Sequence, residues 1–168
     1  FTGDIENTEL VREKYSHDAS LFTVVPELVV FPKTTQDIKN LITWVITENN
    51  QNSHIPDYKT LTVTMRAAGT CMSGGSLTTS IVVDTTRYMN NIIEITDDYV
   101  RMQPGVMYRD LESETLKRNR IMPSYTASKN ICAVGGMFGN NCGGEKTLKY
   151  GKLENFSLET KCIFSDGN

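Results

Sequence analysis

The stretch LTVTMRAAGTCMSGGS, residues 61–76, alternates Leu, Val and Met with Thr and Arg, then runs straight into a loop carrying three glycines. Period-two alternation is the pattern of a half-buried strand, which reaches Ala67 and stops before Gly69. A strand that empties into bare backbone is suited to a ligand. Successive N–H groups of such a loop form a concave nest for an anion, and absent Cβ atoms let phosphate oxygens come within hydrogen-bond range.

A second loop of this kind lies downstream. GGMFGNNCGG, residues 135–144, holds five of the chain's 12 glycines, with Asn140 and Asn141 side by side. Glycine inside a regular element costs about 0.5–1 kcal/mol relative to alanine, so such density persists where tight turns or a close ligand compensate. Two loops together suit one long phosphorylated ligand; two turns with a purely structural role are the alternative. Neither loop spells GxxxxGK followed by Ser or Thr, and neither spells GxGxxG, which argues against kinases, GTPases and ordinary nicotinamide dehydrogenases. No GxSxG elbow is present, and His17 and His54 stand in no triad or ligand pattern.

Around these loops the pattern is mixed. Leu28-Val29-Val30-Phe31, between Pro26 and Pro32, reads as a short buried strand, and Thr34-Thr35-Gln36-Asp37 supplies helix N-cap chemistry. Ile38, Leu41, Ile42, Val45 and Ile46 follow at helical spacing, up to the polar run Glu48-Asn49-Asn50-Gln51-Asn52-Ser53. Ile81-Val82-Val83-Asp84 is another buried strand, and residues 92–95, 99–103 and 158–164 read as further strands. Met107, Leu111, Thr115 and Leu116 mark a second amphipathic helix ending near Asn119. The order predicts a mixed architecture of strands and helices in two lobes, 1–88 and 89–168.

Composition narrows the function classes. At 168 residues and 39% hydrophobic the chain can bury a sizeable core. With 17 Lys+Arg against 20 Asp+Glu, a formal charge of −3 and no dense basic run, nucleic acid is not an expected partner. The apolar runs are too short to span a membrane and the first residues lack a signal layout, so a soluble, cytoplasmic protein is expected. Cys71, Cys132, Cys142 and Cys162 show no CxxC spacing, which argues against a zinc site or iron–sulfur cluster within this chain. Cys71 and Cys142 are read as small residues tolerated in ligand loops, with no histidine or basic cluster to lower either thiol pKa.

PELVVFPKTTQDI, RAAGTCMSGGS, SIVVDTTRYMNNIIEI, VRMQPGV and VGGMFGNNCGGEKTLKYGKLEN resemble, in order and spacing, the FAD-binding (PCMH-type) domain of the vanillyl-alcohol-oxidase group. Within it the chain is most similar to the D-2-hydroxy acid dehydrogenases, which act on D-lactate, glycolate or D-2-hydroxyglutarate; YSHDASLF, residues 15–22, supports that branch. The resemblance implies an α+β fold, with a small parallel α/β lobe and a mixed or antiparallel lobe with helices. It also implies FAD, held in the first loop by Arg66, Ala67, Ala68, Gly69, Thr70, Cys71, Met72 and Ser73. The second contact region carries over to Ala127, Ser128, Ala133, Gly135, Gly136, Asn140, Asn141, Cys142 and Gly143, with Pro104 and Gly105 in a nearby turn.

The family's first loop usually has glycine where Ala67 and Cys71 stand, and Met137 and Ala133 replace a common asparagine and threonine. No flavin-linking histidine occurs in the first loop, so the FAD is expected to be non-covalent. The resemblance further implies oxidation of a D-2-hydroxy acid to the 2-oxo acid, with hydride passing to the flavin. The expected partners are the remaining flavin and substrate domains, an iron–sulfur electron-transfer domain or subunit, and the small hydroxy acid. On this reading the chain is a truncated portion, inactive alone, whose catalytic base lies elsewhere. Other flavoenzymes on the same fold, and a non-catalytic remnant, are the alternatives.

Overall fold

In the computed structural model, which describes residues 1–168, the two apolar runs form the middle of a sheet. Strand β2 (Leu28–Phe31) pairs in parallel with β4 (Ile81–Asp84), and β3 (Val63–Arg66) pairs in parallel with the other edge of β4. A short β1 (Asp4–Glu6) adds antiparallel to β2, giving the order β1-β2-β4-β3. All four residues of β4 are buried. A central parallel strand covered on both faces reads as a continuous apolar run, whereas the less enclosed β3 alternates.

Helix α2 (Thr35–Asn52) begins where its cap was expected. Thr34 Oγ1 accepts the Asp37 amide at 3.1 Å, and the Asp37 carboxylate accepts the Thr34 amide at 3.0 Å. Leu41 and Val45 pack on Val30, Ile81 and Val83, an enclosure worth about 1.5–3 kcal/mol for each large apolar side chain. The helix does not stop at the polar run but continues through it. Asn49 takes the Leu61 amide at 2.8 Å and donates to the Leu61 carbonyl at 2.9 Å, so these polar residues tie the helix to the chain entering β3.

Two compact units partition the chain. The first comprises Phe1–Arg66, Cys71–Asp84 and Lys161–Asn168; the second comprises Ala67–Thr70 and Thr85–Thr160. In the second, β5 (Ile92–Ile95) and β6 (Val100–Met102) form an antiparallel ribbon. Helix α3 (Tyr108–Leu116) follows, and Asn119, at φ +54°, turns the chain into the left-handed region beyond it. Short helices α4 (Val134–Gly139) and α5 (Thr147–Tyr150) and a 3-10 turn (Leu153–Phe156) complete the unit. Its core gathers Val106, Tyr108, Leu111, Tyr125, Cys132, Met137 and Leu153. The parallel-dominated sheet, the separate ribbon and the helices give the expected α+β class.

Helix α1 (Glu9–Lys14) and β1 were not anticipated, and the strand expected over residues 158–164 does not form. That segment alternates as a strand should, yet no neighbouring strand supplies a hydrogen-bond ladder, and Leu158 is 79% exposed.

Asp37 is 1% exposed and also accepts the Thr2 amide and hydroxyl and the Lys33 amide. Burial pushes its carboxyl up, but the bonds from Thr2, Lys33 and Thr34 outweigh it and bring the pKa down to about 2. A depressed carboxylate contributes stability above its unfolded pKa, and that stability is lost as pH falls through the folded value. Chemical denaturation should therefore show a loss on the order of 2 kcal/mol between about pH 4 and pH 2, and Asp37→Asn should flatten that part of the profile.

Candidate functional site

The carboxyl ends of parallel strands are where open α/β sheets receive ligands, and both predicted loops are anchored close to main-chain turns. In the first unit, Arg66 closes β3 opposite Asp84. Its guanidinium donates to the His17 carbonyl at 2.7 Å and lies 5.2 Å from the centre of the Tyr15 ring. The Tyr15 hydroxyl in turn donates to the Asp84 carboxylate at 2.8 Å. Farther along the loop, Gly69 and Gly74 adopt φ +68° and +75°, positions that only glycine occupies without strain.

The arm 71–76 shows what its donors can do. The Ser73 hydroxyl lies 3.1 Å from Cys71 Sγ. That contact, then the Ser73 amide, lower the thiol pKa against burial; the Gly75 amide adds to the effect, and the Asp18 charge opposes it. As the sequence indicates, no histidine or basic cluster takes part. Hydrogen-bond donors, rather than a charged neighbour, provide the effect, and they are the groups an anionic oxygen would use. Met72, by contrast, is 82% exposed and presents its side chain to solvent.

In the second unit the glycines divide by what stands beside them. A Cβ on Gly105 would run into the Thr85 carbonyl, and one on Gly144 into the Tyr125 carbonyl. A Cβ on Gly135 would lie 2.8 Å from both Cβ and O of Pro104, whose carbonyl accepts the Gly135 amide at 2.8 Å. These three positions are bare because main chain packs on main chain. Gly143 is held against Thr147 Oγ1.

Gly136 and Gly139 differ. A Cβ on Gly136 would meet only the Ala67 methyl, at 3.8 Å, and one on Gly139 would meet nothing within 4 Å. The structure therefore brings Ala67 of the first loop beside Gly136 of the second and leaves open space over α4. Gly139 was not among the predicted contacts, since density alone cannot separate a packed glycine from an open one.

The remaining predicted residues take varied places. Ala127 and Asn140 are exposed, and Ser128 is partly so. Ala133 is 1% exposed, bridges Met107, and its carbonyl accepts the Gly136 and Met137 amides that open α4. Asn141, at φ +42°, accepts the Glu154 amide at 3.0 Å and with Phe138, Leu153 and Glu154 lines a cavity of about 210 Å³. Burial, with the nearby Cys132, pushes the Cys142 thiol up to about 11, so this cysteine is inert at neutral pH, as expected.

Within the first unit the donors of the arm 71–76 suit an anionic group, and within the second the open glycines of α4 leave main chain accessible. The chain also resembles known proteins. Residues 26–168 match the family described as FAD binding domain. The chain is 30% identical over 169 residues to D-2-hydroxyglutarate dehydrogenase of Pseudomonas putida, covering 99% of this chain and 16% of that protein. It is 25% identical over 168 residues to glycolate oxidase subunit GlcD of Bacillus subtilis, covering 98% of this chain and 34% of that protein. Among solved structures, alkyldihydroxyacetonephosphate synthase superposes with a TM-score of 0.75 at 18% identity, covering 92% of this chain and 29% of the other. The chain thus spans between about a sixth and a third of the length of the curated relatives it matches. No helix is long and apolar enough to cross a membrane.

The division of glycines makes a contrast that thermal or denaturant unfolding will measure. Gly135→Ala should destabilise by about 1–3 kcal/mol because the Pro104 backbone must move. Gly136→Ala should leave stability unchanged or raise it by about 0.4–1 kcal/mol.

Proposed function

We propose, from the premise that this chain belongs to the FAD-binding domain family, that it is the nucleotide-holding portion of a flavin-dependent oxidoreductase acting on a small D-2-hydroxy acid. The observation that carries the proposal is the combination of the family match over residues 26–168 with alignment along 99% of the chain to D-2-hydroxyglutarate dehydrogenases. Substrates of the D-lactate, glycolate or D-2-hydroxyglutarate class follow from the names of those relatives.

In this reading the protein's own work is binding and orientation. Main-chain amides of Arg66, Ala67, Ala68, Gly69, Thr70, Cys71, Met72 and Ser73 would hold the pyrophosphate of FAD, with Gly69 at positive φ allowing the loop its curvature. Gly135, Gly136, Asn140, Asn141, Cys142 and Gly143, with Ala127, Ser128 and Ala133, would supply the second contact region. Pro104 and Gly105 hold the turn on which Gly135 rests. Met137, 2% exposed, secures α4 in the core while its neighbour Gly136 stays open. Bound FAD supplies the electron-accepting ring that none of the side chains can provide. The absence of histidine from both loops supports a non-covalent cofactor.

We assign the catalytic base and the groups that grip the hydroxy acid to further flavin and substrate domains of the same enzyme, with an iron–sulfur domain or subunit as electron acceptor. A cytoplasmic location fits the composition.

A flavin fluorescence titration of the 168-residue chain tests the cofactor. Saturable quenching by FAD is expected, with all flavin released on acid precipitation, and Gly136→Val should abolish quenching while the circular dichroism stays unchanged. No quenching at any FAD concentration, or flavin retained in the acid pellet, would contradict the assignment. Turnover of D-lactate or D-2-hydroxyglutarate with a dye acceptor by this chain alone would overturn the assignment of the catalytic groups to other domains.

A further inference from the structure

Both ends of the first glycine loop are gripped by two consecutive residues of a remote hairpin. At the start of the loop, Arg66 donates to the His17 carbonyl at 2.7 Å. At its far end, the Ser76 hydroxyl donates to Asp18 Oδ2 at 3.2 Å, across 58 residues of sequence. The hairpin is itself closed by a bridge between His17 and Thr23 and by the Val24 amide on the Ser16 carbonyl at 2.9 Å. Asp18 is aimed by its other oxygen, which accepts the Ser20 amide at 2.8 Å. Phe22, two residues on, lies over Gly74, where a Cβ would stand 2.9 Å from the ring.

We infer that Asp18 is a positioning residue for the arm 71–76, holding its Ser73 and Gly75 donors in the conformation that receives a phosphate oxygen of FAD. The inference rests on the reading of this arm as an FAD loop. A carboxylate is an odd neighbour for an anion-binding arm, since its charge opposes the phosphate. Burial raises the Asp18 pKa, but the bonds from Ser20 and Ser76 and the Arg66 charge lower it further, so it is ionised at neutral pH. The charge is therefore a cost, and the tether is the benefit. Ser76 is 8% exposed, which shields the bond from competing water.

Charge and tether separate by substitution. Asn at position 18 can accept the Ser20 amide through its oxygen and donate to Ser76 through its nitrogen, so it keeps the tether without the charge. Ala keeps neither. In hydrogen exchange of the ligand-free 168-residue chain, Asp18→Ala and Ser76→Ala should each speed exchange of the amides 71–77 about tenfold, the double variant no further, and Asp18→Asn should not. FAD affinity should fall about tenfold in Asp18→Ala and stay at or above wild type in Asp18→Asn.

Iodoacetamide labelling of Cys71 against pH reads the charge separately. The Asp18 carboxylate raises this thiol's pKa, so Asp18→Asn should move the labelling curve to lower pH while FAD affinity holds. Unchanged exchange at 71–77 in Asp18→Ala would overturn the inference, as would faster exchange with undiminished FAD affinity. A wild-type chain that binds no FAD would instead sink the cofactor reading, with the exchange and labelling arms still deciding whether Asp18 holds the loop.

Discussion

Main chain lying directly against main chain at Gly105, Gly135 and Gly144 is the constraint on which the second unit depends. The Pro104 carbonyl accepts the Gly135 amide, and the Met89 carbonyl accepts that of Gly105, each at 2.8 Å. No side chain fits between these segments. Because they meet so closely, α4 starts at a fixed place, Met137 turns into the core, and Gly136 and Gly139 face open space. The bareness that allows packing at one glycine leaves room for a ligand one residue later.

The first unit reaches a similar end by polar means. Arg66, Tyr15 and Asp84 form a chain of contacts at the carboxyl ends of the parallel strands, and the hairpin beyond Tyr15 holds the arm 71–76 through Asp18 and Phe22. Phe31 supports this group from below, its ring edge-on to Tyr15 at a centroid distance of 5.8 Å. A glycine loop left to itself would sample many conformations, and the ordering would have to be supplied when the ligand arrives. Fixing the loop beforehand moves that ordering cost into folding.

Much of the architecture was legible in the sequence where burial is complete or periodicity is strong. Leu28-Val29-Val30-Phe31 and Ile81-Val82-Val83 stand out as apolar runs because both are inner strands flanked on each side, and α2 announces itself through Thr34, Asp37 and its apolar stripe. Strand β1 did not, since Ile5 is its one apolar residue and is 60% exposed; its place comes from pairing with β2. Residues 158–164 carried the alternation of a strand without a ladder to join. The loops themselves were visible from glycine density, and the family resemblance attached FAD to them. What density could not show was which glycines pack and which stay open. Nor could any local pattern show that Asp18 reaches Ser76.

The proposed contact of a flavin nucleotide with glycine-loop main chain is open to a direct test by amide chemical shifts of the isotopically labelled 168-residue chain during titration with FAD. Saturable shifts concentrated at Ala67, Gly69, Ser73, Gly75, Gly136 and Gly139 are expected, with the α2 amides unmoved. Shifts confined to surfaces away from both loops, or none at saturating FAD, would contradict it.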